Sequence, residues 1–319
     1  MSKSLPPKGA SATVARAVRD AERVAPDDDQ QFFERLKEAV AHLAPPEPSS
    51  GRAISRSRSN QRARVRDDPR YTANLREVAR QSGNARIIGG AAVPAGEFED
   101  CVAVGDDSNW GCTGTLIARN VVLTAAHCES LHSRVFVGPD VTKLSSGRVF
   151  KVKRHVRHPK FDSEFRNDLM ILILDKPVTG VKPRQIAPKT LIDKATVARL
   201  VGFGSTRLDG FGQLGAKLQT DVPIVSQACK GKVNGDPDGE VYGCHLNREI
   251  VAGKPLLLQD SCKGDSGGPL FVADSKGKWC LAGATSRGTD LAKTMCGDGG
   301  IYVRVDMYAS WIESVLKKA

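Results

Sequence analysis

Two textures of hydrophobic patterning divide the chain near residue 86. Residues 11–24 are rich in Ala, Arg and Glu and open with Ser11, a good N-cap, which predicts a short helix. Asp27, Asp28 and Asp29 can cap a second. In it Phe32, Phe33, Leu36, Val40 and Leu43 recur at three- and four-residue steps and form one apolar stripe. Pro45, Pro46 and Pro48 end that helix, a polar linker follows, and a third short helix is predicted over residues 71–81 with Gly83 as its stop signal. Beyond residue 87 the pattern changes to short β-branched runs separated by Gly, Pro, Asn and Asp. Residues 121–124, 135–137, 149–152, 169–174 and 198–201 are examples. Many short strands without helical spacing predict an all-β barrel or sandwich, with one helix over residues 308–318 at the end.

Composition narrows the class. The 319 residues are 40% hydrophobic and 26% charged, which is ordinary globular usage and excludes a wholly disordered, collagen-like or coiled-coil chain. The longest purely apolar run, residues 169–174, is too short for a transmembrane helix, so no membrane span is expected. Residues 1–10 contain no apolar signal-peptide core, so the chain is expected either to be made without a secretory leader or to stand here with that leader replaced. The net charge of +11 raises the question of a polyanionic partner. Residues 1–86 carry 17 Lys/Arg against 11 Asp/Glu, and residues 87–319 carry 30 against 25. The excess is densest at Arg52, Arg56, Arg58, Arg62, Arg64 and Arg66, with no acidic residue between them. Without interleaved aromatics or a nucleic-acid motif, that run reads as a solvated linker rather than a nucleic-acid arm.

All eight cysteines lie after residue 100, and their even number and wide spacing argue for disulfides without choosing the pairs. No Cys-x-x-Cys pair occurs and the histidines do not cluster with thiols, so a zinc site is not expected.

Three short motifs carry chemistry: Thr124-Ala125-Ala126-His127-Cys128, Asn167-Asp168-Leu169-Met170, and residues 260–269, which contain Gly264-Asp265-Ser266-Gly267-Gly268. A Ser with glycine two before and directly after it can sit on a tight turn, its hydroxyl projecting and nearby backbone N–H groups aimed at a carbonyl oxygen. A Ser hydroxyl is a poor nucleophile until a neutral His takes its proton, and the His needs a buried carboxylate to fix its tautomer.

At these residues the chain resembles the trypsin/chymotrypsin family of serine proteases, with His, Asp and Ser in that family's order. The likeness runs from Arg86-Ile87-Ile88-Gly89-Gly90 to Ser310-Trp311-Ile312, covering residues 87–319 and none of 1–86. It implies an all-β protein: two six-stranded antiparallel β-barrels with a C-terminal helix and an active site in the cleft between them. A small helical or disordered pro-segment would precede them over residues 1–86, with its basic linker at 44–70. The resemblance assigns His127 as general base and acid, Asp168 as its orienting carboxylate, Ser266 as nucleophile, and the N–H groups of Gly264 and Ser266 as the oxyanion hole. Asp260 matches the base of the primary pocket, with Ser286, Gly288 and Gly300 on its walls, which implies cleavage after Arg or Lys. Cleavage after Arg86 would free the α-amino group of Ile87 to pair with Asp265, so the chain is expected to be a zymogen. Its activator would be a protease that cuts after a basic residue, the mature enzyme itself included. The family's bridges imply Cys112–Cys128, Cys229–Cys244 and Cys262–Cys296. Cys101 and Cys280 match no common bridge and are left either paired or reduced.

Departures shape further expectations. Arg287 stands where trypsin has a Trp, which suggests a preference for acidic residues upstream of the cut. The loop over residues 138–146 lacks the paired carboxylates of trypsin's calcium site, so neither metal nor cofactor is expected. The expected partners are a protein substrate with Arg or Lys at the cut, the activating protease, and a protein docking on residues 1–86. Disulfides favour an extracytoplasmic location, and the missing signal sequence favours the cytoplasm. The competing function is a catalytically silent, protease-like binding protein that acts through its N-terminal segment.

Overall fold

A computed structural model describes residues 90–206, 214–255, 257, 259–292 and 296–318. The three helices expected before residue 86, the boundary there, and Arg86 and Ile87 lie outside the described residues.

After β1 (Ala91–Ala92), six strands follow: β2 (Cys101–Gly105), β3 (Trp110–Ala118), β4 (Val121–Thr124), β5 (Arg134–Val137), β6 (Arg148–Arg157) and β7 (Met170–Leu174). They close into an antiparallel barrel in the order β2-β3-β4-β7-β6-β5. A short helix α1 (Lys189–Ile192) leads to β8 (Val197–Gly202) and β9 (Leu218–Ser226). The hairpin of β10 (Lys232–Val233) and β11 (Asp236–Pro237) and helix α2 (Asp238–Tyr242) precede β12 (Glu249–Ala252), β13 (Pro269–Ala273), β14 (Trp279–Gly288) and β15 (Gly300–Arg304). A second six-stranded ring runs β9-β12-β15-β14-β13-β8 and is closed by the β8–β9 pairing, with β1 added on β9. A 3-10 turn over Val305–Tyr308 leads into the terminal helix α3 (Ala309–Leu316), near the expected place. The periodicity did not announce α1 and α2.

Burial explains why the strongest apolar runs do not alternate with polar residues. All five positions of β2 and all five of β7 are buried. Their side chains still alternate, as the pleat requires, but between two apolar environments. Val102, Val104, Met170, Leu172 and Leu174 join the cluster inside the first barrel. Cys101, Ala103, Ile171 and Ile173 join another that also holds Phe271, Leu281 and Val303 of the second barrel and Tyr308, Ile312 and Val315 at the C-terminal end. Leu200, Ile224, Ile250, Leu270 and Tyr302 fill the second barrel. The shared cluster fixes one barrel on the other, and with them the loops at their junction.

Three disulfides, Cys112–Cys128, Cys229–Cys244 and Cys262–Cys296, are formed. Cys101 and Cys280 are both buried and unbridged, so of the two alternatives left open by the sequence the structure takes the reduced one. The Cys101 thiol points at the carbonyl of Val201 at 3.5 Å. No helix of the described residues is long and apolar enough to cross a membrane.

Candidate active site

β4 is buried at all four positions and delivers the chain to a 3-10 turn over Ala126–Cys128. Ala125 and Ala126 are buried, and His127 emerges between them and the Cys128 bridge. The small side chains here have a steric cause. Gly267 comes so close that a Cβ on it would lie 2.1 Å from Thr124 Oγ1 and 2.5 Å from the Ala125 nitrogen. Its backbone is also left-handed, with φ of 76°. The Ser-Gly-Gly loop of the second barrel thus presses directly on the His loop of the first.

Asp168 arrives from the other side. Asn167 adopts the left-handed conformation, with φ of 58°, which Asn tolerates better than most residues. Its amide donates to the Lys160 carbonyl at 2.7 Å and its Oδ1 accepts from the Tyr308 hydroxyl at 3.1 Å. Asp168 follows, fully buried at the mouth of β7. Its Oδ1 accepts the His127 backbone N–H at 2.9 Å, and its Oδ2 lies 2.7 Å from His127 Nδ1. Ser286, expected as a pocket-wall residue, donates its hydroxyl to the same Oδ2 at 2.7 Å. The carboxylate is therefore held by three donors that fix both its plane and the imidazole edge facing it.

Ser266 is brought to this place through its backbone. Its carbonyl accepts from Thr113 N at 2.9 Å and lies 3.7 Å from Cys128 Sγ, next to His127 in sequence. Thr113 also donates its hydroxyl to the Gly264 carbonyl at 2.8 Å. Gly264, with φ of 101°, and Gly267 flank a loop tied by Asp265 N to Cys262 O at 2.9 Å and Gly268 N to Asp265 O at 2.7 Å. The Ser266 hydroxyl makes no hydrogen bond to His127 among the described contacts. Neither Gly264 N nor Ser266 N donates to an acceptor among the described residues.

Asp260 is 4% exposed, and burial raises its pKa to about 7. Its carboxylate accepts from Ser261 N at 2.7 Å, Gly299 N at 2.9 Å and the Tyr302 hydroxyl at 3.2 Å. No described Lys or Arg forms an ion pair with it. Gly288 and Gly300 face each other directly across β14 and β15. A Cβ on Gly300 would come 3.0 Å from the same Tyr302 hydroxyl. Asp265 is also buried and also raised, to about 6, by desolvation. Backbone cradles it: Gly204 N and Cys262 N donate at 2.8 and 2.9 Å, and a Cβ on Gly202 or Gly204 would meet its oxygens at 2.0 or 2.4 Å. Again no described cation pairs with it.

Arg287 differs from expectation. Its guanidinium grips Glu249, which is 1% exposed, with two hydrogen bonds of 2.8 and 2.9 Å, and donates to the Gly243 carbonyl at 2.9 Å. The charge is neutralised within the protein, which removes the physical basis for an acidic preference upstream of the cut. Sequence reasoning missed Glu249, Tyr302, Gly299, Gly202 and Gly204, and the bond from Ser286 to Asp168. These partners lie 38 to 118 residues from the groups they serve, apart in sequence by more than any local motif spans. Among the described residues no cluster of three or more His, Cys, Asp or Glu could hold a metal ion.

Two closed antiparallel barrels, with a buried Asp–His pair meeting a Ser-Gly-Gly loop at their junction, define a serine protease of the trypsin type. The family model described as Trypsin matches residues 87–312, and the chain belongs to that family. It is 34% identical over 248 residues, covering 74% of this chain and 85% of the relative, to a "Trypsin-like protease" of Streptomyces glaucescens.

Proposed function

We propose that the protein is a serine endopeptidase that cuts after Arg or Lys, made as a zymogen and activated by cleavage between Arg86 and Ile87. In this reading His127, with Nδ1 hydrogen-bonded to Asp168, takes the Ser266 proton on Nε2 as Oγ attacks the scissile carbonyl. The N–H groups of Gly264 and Ser266 receive the developing oxyanion. His127 then returns the proton to the leaving amine, and water repeats the sequence on the acyl-enzyme, restoring Ser266.

The observation that carries the specificity is Asp260, a buried carboxylate with backbone and phenolic donors but no described cation. A guanidinium or ammonium entering beside the paired glycines Gly288 and Gly300 would supply that cation with charge-assisted hydrogen bonds. Asp265 supports the activation step by the same logic. Its cradle leaves a buried carboxylate needing one positive group, and the α-ammonium of Ile87 is the group that cleavage would create. Residues 1–86 are then the pro-segment, with a partner or the activator as their docking target.

The test is to treat the full chain with a trace of trypsin, sequence the new N-terminus, and assay Arg, Lys and Phe peptide amides beside Ser266→Ala. An Ile-Ile-Gly-Gly terminus, with Arg and Lys turnover reduced on the order of a million-fold in the variant, is expected. Equal cleavage after Phe overturns the pocket assignment. Full activity of Arg86→Gln without a cut overturns the zymogen. A correct terminus without any amide turnover returns the silent binding protein to first place.

A further inference from the structure

We propose that the outer surface of β6 is a docking site for an acidic segment of the protein substrate; the proposal rests on the endopeptidase reading above. β6 reads Arg-Val-Phe-Lys-Val-Lys-Arg-His-Val-Arg, and Arg148, Lys151, Lys153 and Arg154 on it are all exposed. None of the four forms an ion pair with a described residue. Arg148 donates to Thr179 and Arg154 to the Lys318 carbonyl, so their own hydrogen bonds leave the charges uncompensated. Lys176 lies 5.6 Å from the Phe150 ring, as does the Arg148 guanidinium, and the Arg154 bond brings exposed Lys318 to the far end. Asp175, Glu313 and Glu129 are the acids set against this run, and Glu129 pairs with His155 and Arg157 at its C-terminal end.

The stripe has a length and a direction. By the pleat Arg148 shares the face of buried Phe150, so the outer run is Lys151, Lys153 and Arg154, about 10 Å at roughly 3.3 Å per residue, the reach of three or four extended residues. Three residues further on, Arg157, paired with Glu129 at 2.8 Å, lines a pocket together with His127, Phe161 and Phe165. The cations thus lead to the cleft where a substrate is held. Val149, 37% exposed, stands among them, so the surface mixes apolar and cationic groups. That mixture fits a peptide carrying acidic and apolar side chains better than a uniformly sulfated or phosphorylated polymer.

The test compares the wild type with Lys151→Gln/Lys153→Gln/Arg154→Gln, all exposed changes with small expected effects on stability. Each chain, activated by cleavage at Arg86, is assayed on an Arg peptide amide and on a protein substrate bearing an Asp/Glu-rich tract joined to the same cut site through a flexible spacer. The amide should be cut equally by both. The tracted substrate should lose roughly tenfold in kcat/KM through KM with kcat unchanged, the sum of three exposed ionic contacts. The wild-type advantage should shrink with added salt. Equal kcat/KM on the tracted substrate overturns the proposal. So does tighter binding of a sulfated oligosaccharide or DNA with no effect of the acidic tract. If neither enzyme cuts the amide, it is the endopeptidase reading that fails. Docking is then read by the anisotropy of a labelled tract peptide, where tenfold weaker binding by the triple variant supports the site and equal binding refutes it.

Discussion

The Asp260 carboxylate should make ligand binding, stability and pH inseparable in this protein. Burial moves its pKa from 3.8 to about 7. That shift of about three units corresponds to about 4 kcal/mol at 1.36 kcal/mol per unit. The sign follows from the protonated form being the one the pocket tolerates. The contribution to stability is fully present below about pH 4 and is lost as pH rises toward 7, the reverse of a salt-bridged Asp. A small amidinium such as benzamidine reverses the preference, because it pairs only with the ionised form. Its affinity should therefore rise about tenfold per pH unit up to about pH 7, then level off, with close to one proton released per ligand bound at pH 5–6. Calorimetric titration in two buffers of different ionisation enthalpy, with thermal unfolding at each pH, measures all of this. Asp260→Asn keeps an acceptor for only one of Gly299 N and Ser261 N, which bond different carboxylate oxygens, and should bind benzamidine roughly a hundredfold more weakly, with a flat pH profile. An affinity constant between pH 5 and 8 without proton release, or an Asn variant that binds as the wild type does, would refute the reasoning.

Two further outcomes follow from hydrogen bonds the fold creates. Ser286→Ala removes one of three donors from the buried Asp168 and should lower kcat about 10- to 100-fold, the worth of a hydrogen bond to a charged group, with Tm little changed; unaltered kcat on a peptide amide would show that the hydroxyl is a bystander. Arg287→Ala strands Glu249, at 1% exposure, without its cation and should cost about 3–5 kcal/mol in denaturant unfolding; Glu249→Gln combined with Arg287→Gln should recover much of that loss, and equal destabilisation of both variants would contradict an unpaired-charge origin.

The candidate site was legible to different depths. His127, Asp168 and Ser266 could be placed because each sits in a short run whose neighbours share its constraint. The Thr-Ala-Ala before His127 and the glycines around Ser266 are small because the two loops touch. Asp260 and Asp265 were read from the family resemblance, by their places six residues and one residue before Ser266. Glu249 was not, since nothing around it distinguishes an ordinary β-strand glutamate from the partner of Arg287. The charge expected to drive an acidic preference is paired at that point: a sequence shows a charge but not its neutralisation.

The amino-acid sequence by itself determined the β character of the described residues and the placing of their strongest strands, and it proposed the chemistry of the three motifs. These depend on side-chain period, backbone freedom and functional groups, all of which are local. Only the tertiary structure decided that residues 169–174 are continuously apolar because one face fills a barrel and the other the shared cluster. It also decided that Cys101 and Cys280 stay unbridged, that Ser286 serves Asp168, and that two carboxylates are buried without a described counter-ion. Closure of two barrels brings together groups distant in the chain, and burial, pairing and the resulting pKa shifts exist only once that closure is made.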